Sequence, residues 1–153
     1  MNPFEQARQA QNRALRLQRR RSRIPPPTSP PRRSPSQQAG DRAEQLAQRH
    51  VQQHGARVLA RQLRARGGEI DLVLWHDGQL VFLEVRQRRS DCYGGALASV
   101  NRDKQRRLIL AARQWLPTLS RRYFQGRLPP CRFDVIALDG QALQWIRNAF
   151  AAE

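Results

Sequence analysis

Ala43, Leu46, Ala47, His50, Val51 and His54 recur at the i, i+3, i+4, i+7 spacing of one helical face, and Gly55 follows as a stop signal. Asp41 opens the stripe with Glu44 three residues on, the spacing of a capping box. The pattern then changes to strand-like segments at residues 57–63, 69–75 and 79–87. Asp77-Gly78 supplies the tight turn between the second and third. Beyond a glycine-bearing loop, Tyr93-Gly94-Gly95, helical spacing returns at Leu108, Ile109, Ala112, Trp115 and Leu116. Asn101 or a neighbour is placed to start this helix, and Pro117 is expected to stop it. Strands at 131–138 and 142–146 flank a second turn, Asp139-Gly140. The order αβββαββ predicts an α/β protein whose mixed central sheet is flanked by helices.

Residues 1–39 do not share this patterning. They hold nine arginines against one acid, Glu5, and their prolines, from Pro25 through Pro35, forbid regular helix or central strand. The expectation is a basic, disordered tail on residues 1–39, either an arm for phosphates or a dispensable extension, followed by one domain over residues 40–153. A core of about 114 residues is large enough to fold alone.

Charge narrows the choice of partner. The formal net charge is +16, carried by 27 arginines and one lysine, Lys104. Such a balance favours polyanions: DNA, RNA or an anionic membrane surface. No apolar run spans a bilayer, and the N-terminus has no secretory core. An Arg-rich, acid-poor start also suits an organelle transit peptide, but two thiols in no paired spacing make a reduced, cytoplasmic protein the default expectation. Cys92 and Cys131 lie in no metal-binding spacing, and zinc is not expected. His50, His54 and His76 read as surface or boundary residues. Tyr93, Tyr123 and Phe124 fall in basic loops where rings can stack on bases.

The chemistry sits in two runs, Gly68-Glu69-Ile70-Asp71-Leu72-Val73 and Val81-Phe82-Leu83-Glu84-Val85-Arg86. Burying a lone carboxylate is costly, so an acid inside an apolar strand has a cation or a proton to meet. Side chains alternate along a strand, so Glu69 shares a face with Asp71, and Glu84 with Arg86. A hairpin that sets Asp71 beside Glu84 builds an acidic pocket with an arginine on its rim, the layout of a magnesium site for phosphodiester cleavage.

These residues resemble a known pattern. Asp71 followed by Glu84-Val85-Arg86 resembles the split acidic signature of the PD-(D/E)XK nucleases, which have the restriction-endonuclease-like fold. Five blocks in order resemble the YraN-like family (uncharacterised protein family 0102), related to Holliday-junction resolvases: Gly40-Asp41-Arg42-Ala43-Glu44, Gly68-Glu69-Ile70-Asp71-Leu72, Phe82-Leu83-Glu84-Val85, Lys104-Gln105-Arg106-Arg107-Leu108 and Arg132-Phe133-Asp134-Val135. The resemblance implies a magnesium- or manganese-dependent endonuclease with Asp71, Glu84, the Val85 carbonyl and Glu44 as ligands. It implies Asp71, Glu84, Arg86 and Glu44 as catalytic residues, and a homodimer, since a junction offers two symmetric strands. Lys104, Arg107 and Arg88 are the candidate nucleic-acid contacts, with Lys104 otherwise a surface charge. Glu44 has a second reading in the capping box with Asp41. Arg86 departs from the pattern, because relatives place lysine there; a guanidinium holds phosphate but is no base, so weak cleavage is expected. The alternatives are a binding module of the same fold without turnover, and an arginine-rich adaptor for RNA or protein.

Overall fold

The computed structural model describes residues 33–88, 100–140 and 142–152. Helix α1 spans Pro35–Gln53, and strands β1 (Arg57–Ala65), β2 (Gly68–His76) and β3 (Gln79–Arg88) follow. Helix α2 (Arg102–Tyr123) leads to β4 (Cys131–Asp139) and β5 (Ala142–Phe150). The sheet order is β1-β2-β3-β4-β5. Neighbours are antiparallel except β3 and β4, which run parallel because α2 carries the chain back between them. The architecture is α/β with a mixed five-stranded sheet, in the order the patterning predicts. Among the described residues no helix is long and apolar enough to cross a membrane.

Each face of the sheet buries one helix. Ala43, Ala47 and Val51 of α1 pack on Leu72, Leu74, Val81, Leu83, Ile136 and Leu138. Leu108, Ala111, Ala112 and Leu119 of α2 pack on Val73, Phe82, Phe133 and Val135. At about 1.5–3 kcal/mol for each buried aliphatic side chain, these two layers dominate the stability of the fold. The turn between β2 and β3 puts both central residues in the left-handed region, Asp77 at φ 50° and Gly78 at φ 74°, as a twisted two-residue hairpin requires. Its closing pair, His76↔Gln79, fixes the register up to Leu72↔Leu83.

Two helix limits differ from the expected ones, whereas Gly55, at φ 84° just past the His54 C-cap, ends the first helix as expected. The first helix begins at Pro35, not at Asp41. Ser34 is its N-cap: the Ser34 hydroxyl accepts from the Gln37 backbone (3.3 Å), and the Gln37 side chain accepts from the Ser34 backbone (2.9 Å). Proline at the first helical position loses no bond, because that N–H has no helical acceptor. Gly40 is simply tolerated inside the helix, at about 1 kcal/mol relative to alanine. Of the tail assigned to residues 1–39, residues 35–39 are therefore helical, and residues 1–32 lie outside the described residues.

The second helix runs through Pro117 to Tyr123. Proline removes one internal bond on the exposed side, while Leu119 is buried and the Tyr123 hydroxyl donates to the Leu59 carbonyl (2.8 Å). Tertiary packing thus outweighs the local break, and Tyr123 belongs to a helix rather than to a basic loop. His76 also departs from expectation, being only 4% exposed. Its ring lies between Arg132, whose Nη2 is 2.9 Å from Nδ1, and the His54 carbonyl, 3.2 Å from Nε2.

Candidate metal and phosphate site

Asp71 and Glu84 lie just beyond Leu72↔Leu83, where the β2–β3 ladder ends. There a side chain takes over from the backbone: Asp71 Oδ2 accepts the Val85 N–H at 2.7 Å. The same register that sets Leu72 against Leu83 sets these two carboxylates side by side, on the α2 side of the sheet.

Glu84 is almost fully buried. Its Oε1 takes Lys104 Nζ at 3.0 Å and Arg86 Nε at 3.5 Å, while Oε2 accepts no N–H or O–H donor. Burial, then the Asp71 charge, push the Glu84 carboxyl up to about 7 against the pull of Lys104 and Arg86. Asp71 is raised as well, first by burial, with the Val85 N–H and Lys104 opposing. The two acids can share a proton, so the pair holds one negative charge comfortably and two only with a further cation nearby.

Lys104 reaches this pair from the first turn of α2. Its backbone N–H donates to the Asn101 side chain (2.9 Å), which caps the helix and aims the turn at Glu84. An ammonium at a helix N-terminus opposes the helix dipole, so the ion pair, not the helix, accounts for its place. Arg107 follows one turn later. Its Cβ and backbone oxygen come so close to Gly68 that a Cβ there would sit 3.2 Å from each, which is why β2 opens on glycine. Arg88 is the last residue of β3, in register with Asp139.

Glu44 stands apart. It lies well inside α1, so the capping box expected of Asp41 and Glu44 does not form; Ser34 and Gln37 form one instead. The Glu44 carboxylate accepts from the Gln62 side chain at 3.1 Å. Burial and then the charge of Asp71 raise its pKa, so it senses the pair without joining it. Among the described residues no three His, Cys, Asp or Glu side chains form a group that could hold one ion. Glu69 pairs with Arg64 at 3.9 Å, and its charge adds to the upward shift of Asp71 and Glu44. Gln62, which holds Glu44, carried no sequence signal; its left-handed backbone (φ 47°) is a tertiary feature. Cys92 and Tyr93-Gly94-Gly95 lie outside the described residues.

Comparison with known proteins places this chain in a family. Residues 43–138 match the model of "Uncharacterised protein family UPF0102". The chain is 49% identical over 118 residues to a UPF0102 protein of Cupriavidus taiwanensis, covering 76% of this chain and 86% of that one. It is 45% identical over 151 residues to a UPF0102 protein of Bordetella petrii, covering 96% and 93%, an alignment that takes in the N-terminal tail. It is 47% identical over 113 residues to the UPF0102 protein YraN of Salmonella newport, covering 74% and 84%. The matched span holds Glu44, Asp71, Glu84, Arg86 and Lys104, and the chain belongs to the UPF0102 family.

Proposed function

We propose that this UPF0102 protein is a divalent-metal-dependent endonuclease of the restriction-endonuclease-like kind, acting on branched DNA. The observation that carries the reading is the buried pair Asp71–Glu84, with one carboxylate oxygen unclaimed and a lysine and an arginine on the other. The donor set fits a hard cation: two carboxylates and the Val85 carbonyl, with room in the coordination shell for water. Asp71 and Glu84 would hold magnesium or manganese, which when bound polarises a phosphoryl oxygen and lowers the pKa of its water.

The chain's own residues supply the rest. The Val85 N–H fixes the Asp71 carboxylate, so its geometry does not wait on a ligand. Lys104 brings an ammonium to the spot where the strand itself offers only Arg86. A compact ammonium orients a nucleophilic water or an oxyanion, whereas the planar Arg86 fork suits the oxygens of the scissile phosphate. Arg107, on the next turn, extends the positive rim. A second reading, a DNA-binding module without turnover, draws on Arg86 standing where related nucleases carry lysine.

Single-turnover cleavage of a four-way junction and a matched linear duplex separates the two. The nuclease reading expects cleavage with magnesium or manganese, none with chelator, and none from Asp71→Asn or Glu84→Gln. Binding without cleavage under every metal condition would leave the module.

A further inference from the structure

The two helices that cover the sheet differ sharply in charge. Helix α1 carries two arginines and two acids; α2 carries six arginines and Lys104 against a single acid, Asp103. Nothing in packing asks for this, since the inward face of α2 is Leu108, Ala111, Ala112 and Leu119. Arg102, Arg106 and Arg121 are all exposed, on the outward side. Among the described residues no carboxylate stands within ion-pair distance of these three. Repulsion along one helix is a small but steady cost, so an excess of this kind points to an anionic partner.

The surface is also anchored, and the helix that bears it brings Lys104 to the acidic pair. The β1–β2 hairpin tip is clamped to the middle of α2 by two bonds. The Arg66 N–H donates to the Gln114 side chain (3.1 Å), and the Trp115 indole donates to the Arg64 carbonyl (3.0 Å). Exposed Arg66 therefore joins the ridge. From Arg102 to Arg121 the helix rises about 28 Å, the length of about eight base pairs of duplex. Among the described residues no aromatic side chain stands on this outward helix face, so the helix offers an unpaired base nothing to stack on.

We propose that the outward face of α2, with the hairpin tip, is a track for the phosphate backbone of a double-stranded DNA arm, leading into the Asp71–Glu84 site. The inference rests on the nuclease reading for the choice of DNA, and it adds which surface holds the substrate and that the arm held is duplex. Contacts to phosphate alone make the track indifferent to base sequence.

The test uses the full chain in chelator, so that cleavage plays no part. Affinity for a 30-base-pair DNA duplex, a 30-nucleotide single strand and a matched RNA duplex is measured across a salt series. The triple variant Arg102→Gln, Arg106→Gln, Arg121→Gln is compared with Arg42→Gln, Arg49→Gln on α1; all five positions are exposed helix surface, and glutamine is a good helix former. The α2 variant should bind DNA duplex roughly tenfold more weakly or worse, with a salt slope shallower by about three, one for each lost phosphate contact. The α1 variant should stay within about twofold of the unaltered chain. Equal losses in the two variants, an unchanged slope in the α2 variant, or tighter binding of single strand or RNA duplex overturns the track. The nuclease reading falls separately, on absence of metal-dependent cleavage while duplex binding persists.

Discussion

Two buried carboxylates on the same sheet have opposite surroundings. Asp134, on β4, has a side chain with no exposure. It accepts from Arg132 Nε (3.0 and 3.1 Å) and Nη2 (3.0 Å), from the Trp145 indole (3.0 Å) and from the Asn148 backbone (2.9 Å). Arg132 in turn reaches Gln79 Oε1 (3.0 Å) and His76. Every lone pair there has a donor, and the network ties β2, β3, β4 and β5 together. Glu84, with a side chain 4% exposed, has both of its cations on one oxygen and no donor on the other, and it faces a second acid. A buried acid that stabilises a fold is saturated with donors; one left short of them, as Glu84 is, is a candidate for chemistry.

Removing each acid should therefore act in opposite directions. Asp134→Ala leaves Arg132 charged, 8% exposed and without its carboxylate, which is expected to cost about 3–5 kcal/mol. Urea unfolding should show the loss, and a cost under about 1 kcal/mol would break the contrast.

Glu84→Gln should instead stabilise, in a pH-dependent way. The Glu84 carboxyl stands near 7 in the folded protein against 4.5 for an unperturbed glutamate. Between those values the unfolded chain has released a proton that the fold still holds, so native stability falls as pH rises from 4.5 to 7 and levels off above. The variant lacks this fall. It should match the unaltered protein near pH 4.5 and exceed it by roughly 3 kcal/mol at pH 8 without metal. Magnesium should then stabilise the unaltered protein at pH 8 and leave the variant unmoved. A stability gap that does not widen with pH sinks the claim that Glu84 is held against its preference.

How much of this contrast was legible depends on distance along the chain. The Asp71–Glu84 pairing could be counted off the turn, because the two residues lie equally far on either side of His76↔Gln79. The start of α2 at Asn101 was equally local. Lys104 stood out as the single lysine and as a candidate phosphate contact; that its ammonium pairs with Glu84 depends on how α2 docks after a crossover. The Asp134 network was not legible, since its donors converge only after β4 pairs parallel to β3 and antiparallel to β5. Two helix limits failed for another reason: Asp41 and Pro117 are local signals, and the Ser34–Gln37 cap and the packing of Leu119 overrode them.

A smaller effect is expected where β2 enters the site. A methyl at Gly68 would sit 3.2 Å from backbone and Cβ of Arg107, so Gly68→Ala should cost about 1–3 kcal/mol and push α2 away from Asp71. Gly67→Ala, whose methyl would rest at an ordinary 3.9 Å from Leu110, is the control and should be near neutral. Equal stabilities would show that α2 shifts freely and does not fix the site.

The smallest change in stability comes from Arg86→Lys, within about 0.5 kcal/mol for a half-exposed strand residue. Its value lies in the rate of cleavage. Were the strand position the only source of an ammonium, the substitution would restore one and raise a weak rate substantially. Lys104 already places an ammonium 3.0 Å from Glu84, closer than the Arg86 guanidinium at 3.5 Å. Single-turnover cleavage should therefore change by less than about threefold in Arg86→Lys, while Lys104→Met should lose on the order of a hundredfold, the scale of one aligned transition-state contact. The reverse order, a large gain from Arg86→Lys and a small loss from Lys104→Met, would return the chemistry to the strand and leave Lys104 as no more than a counter-ion. In that outcome Glu84, paired only for its charge, would stand closer to Asp134 than the contrast between them allows.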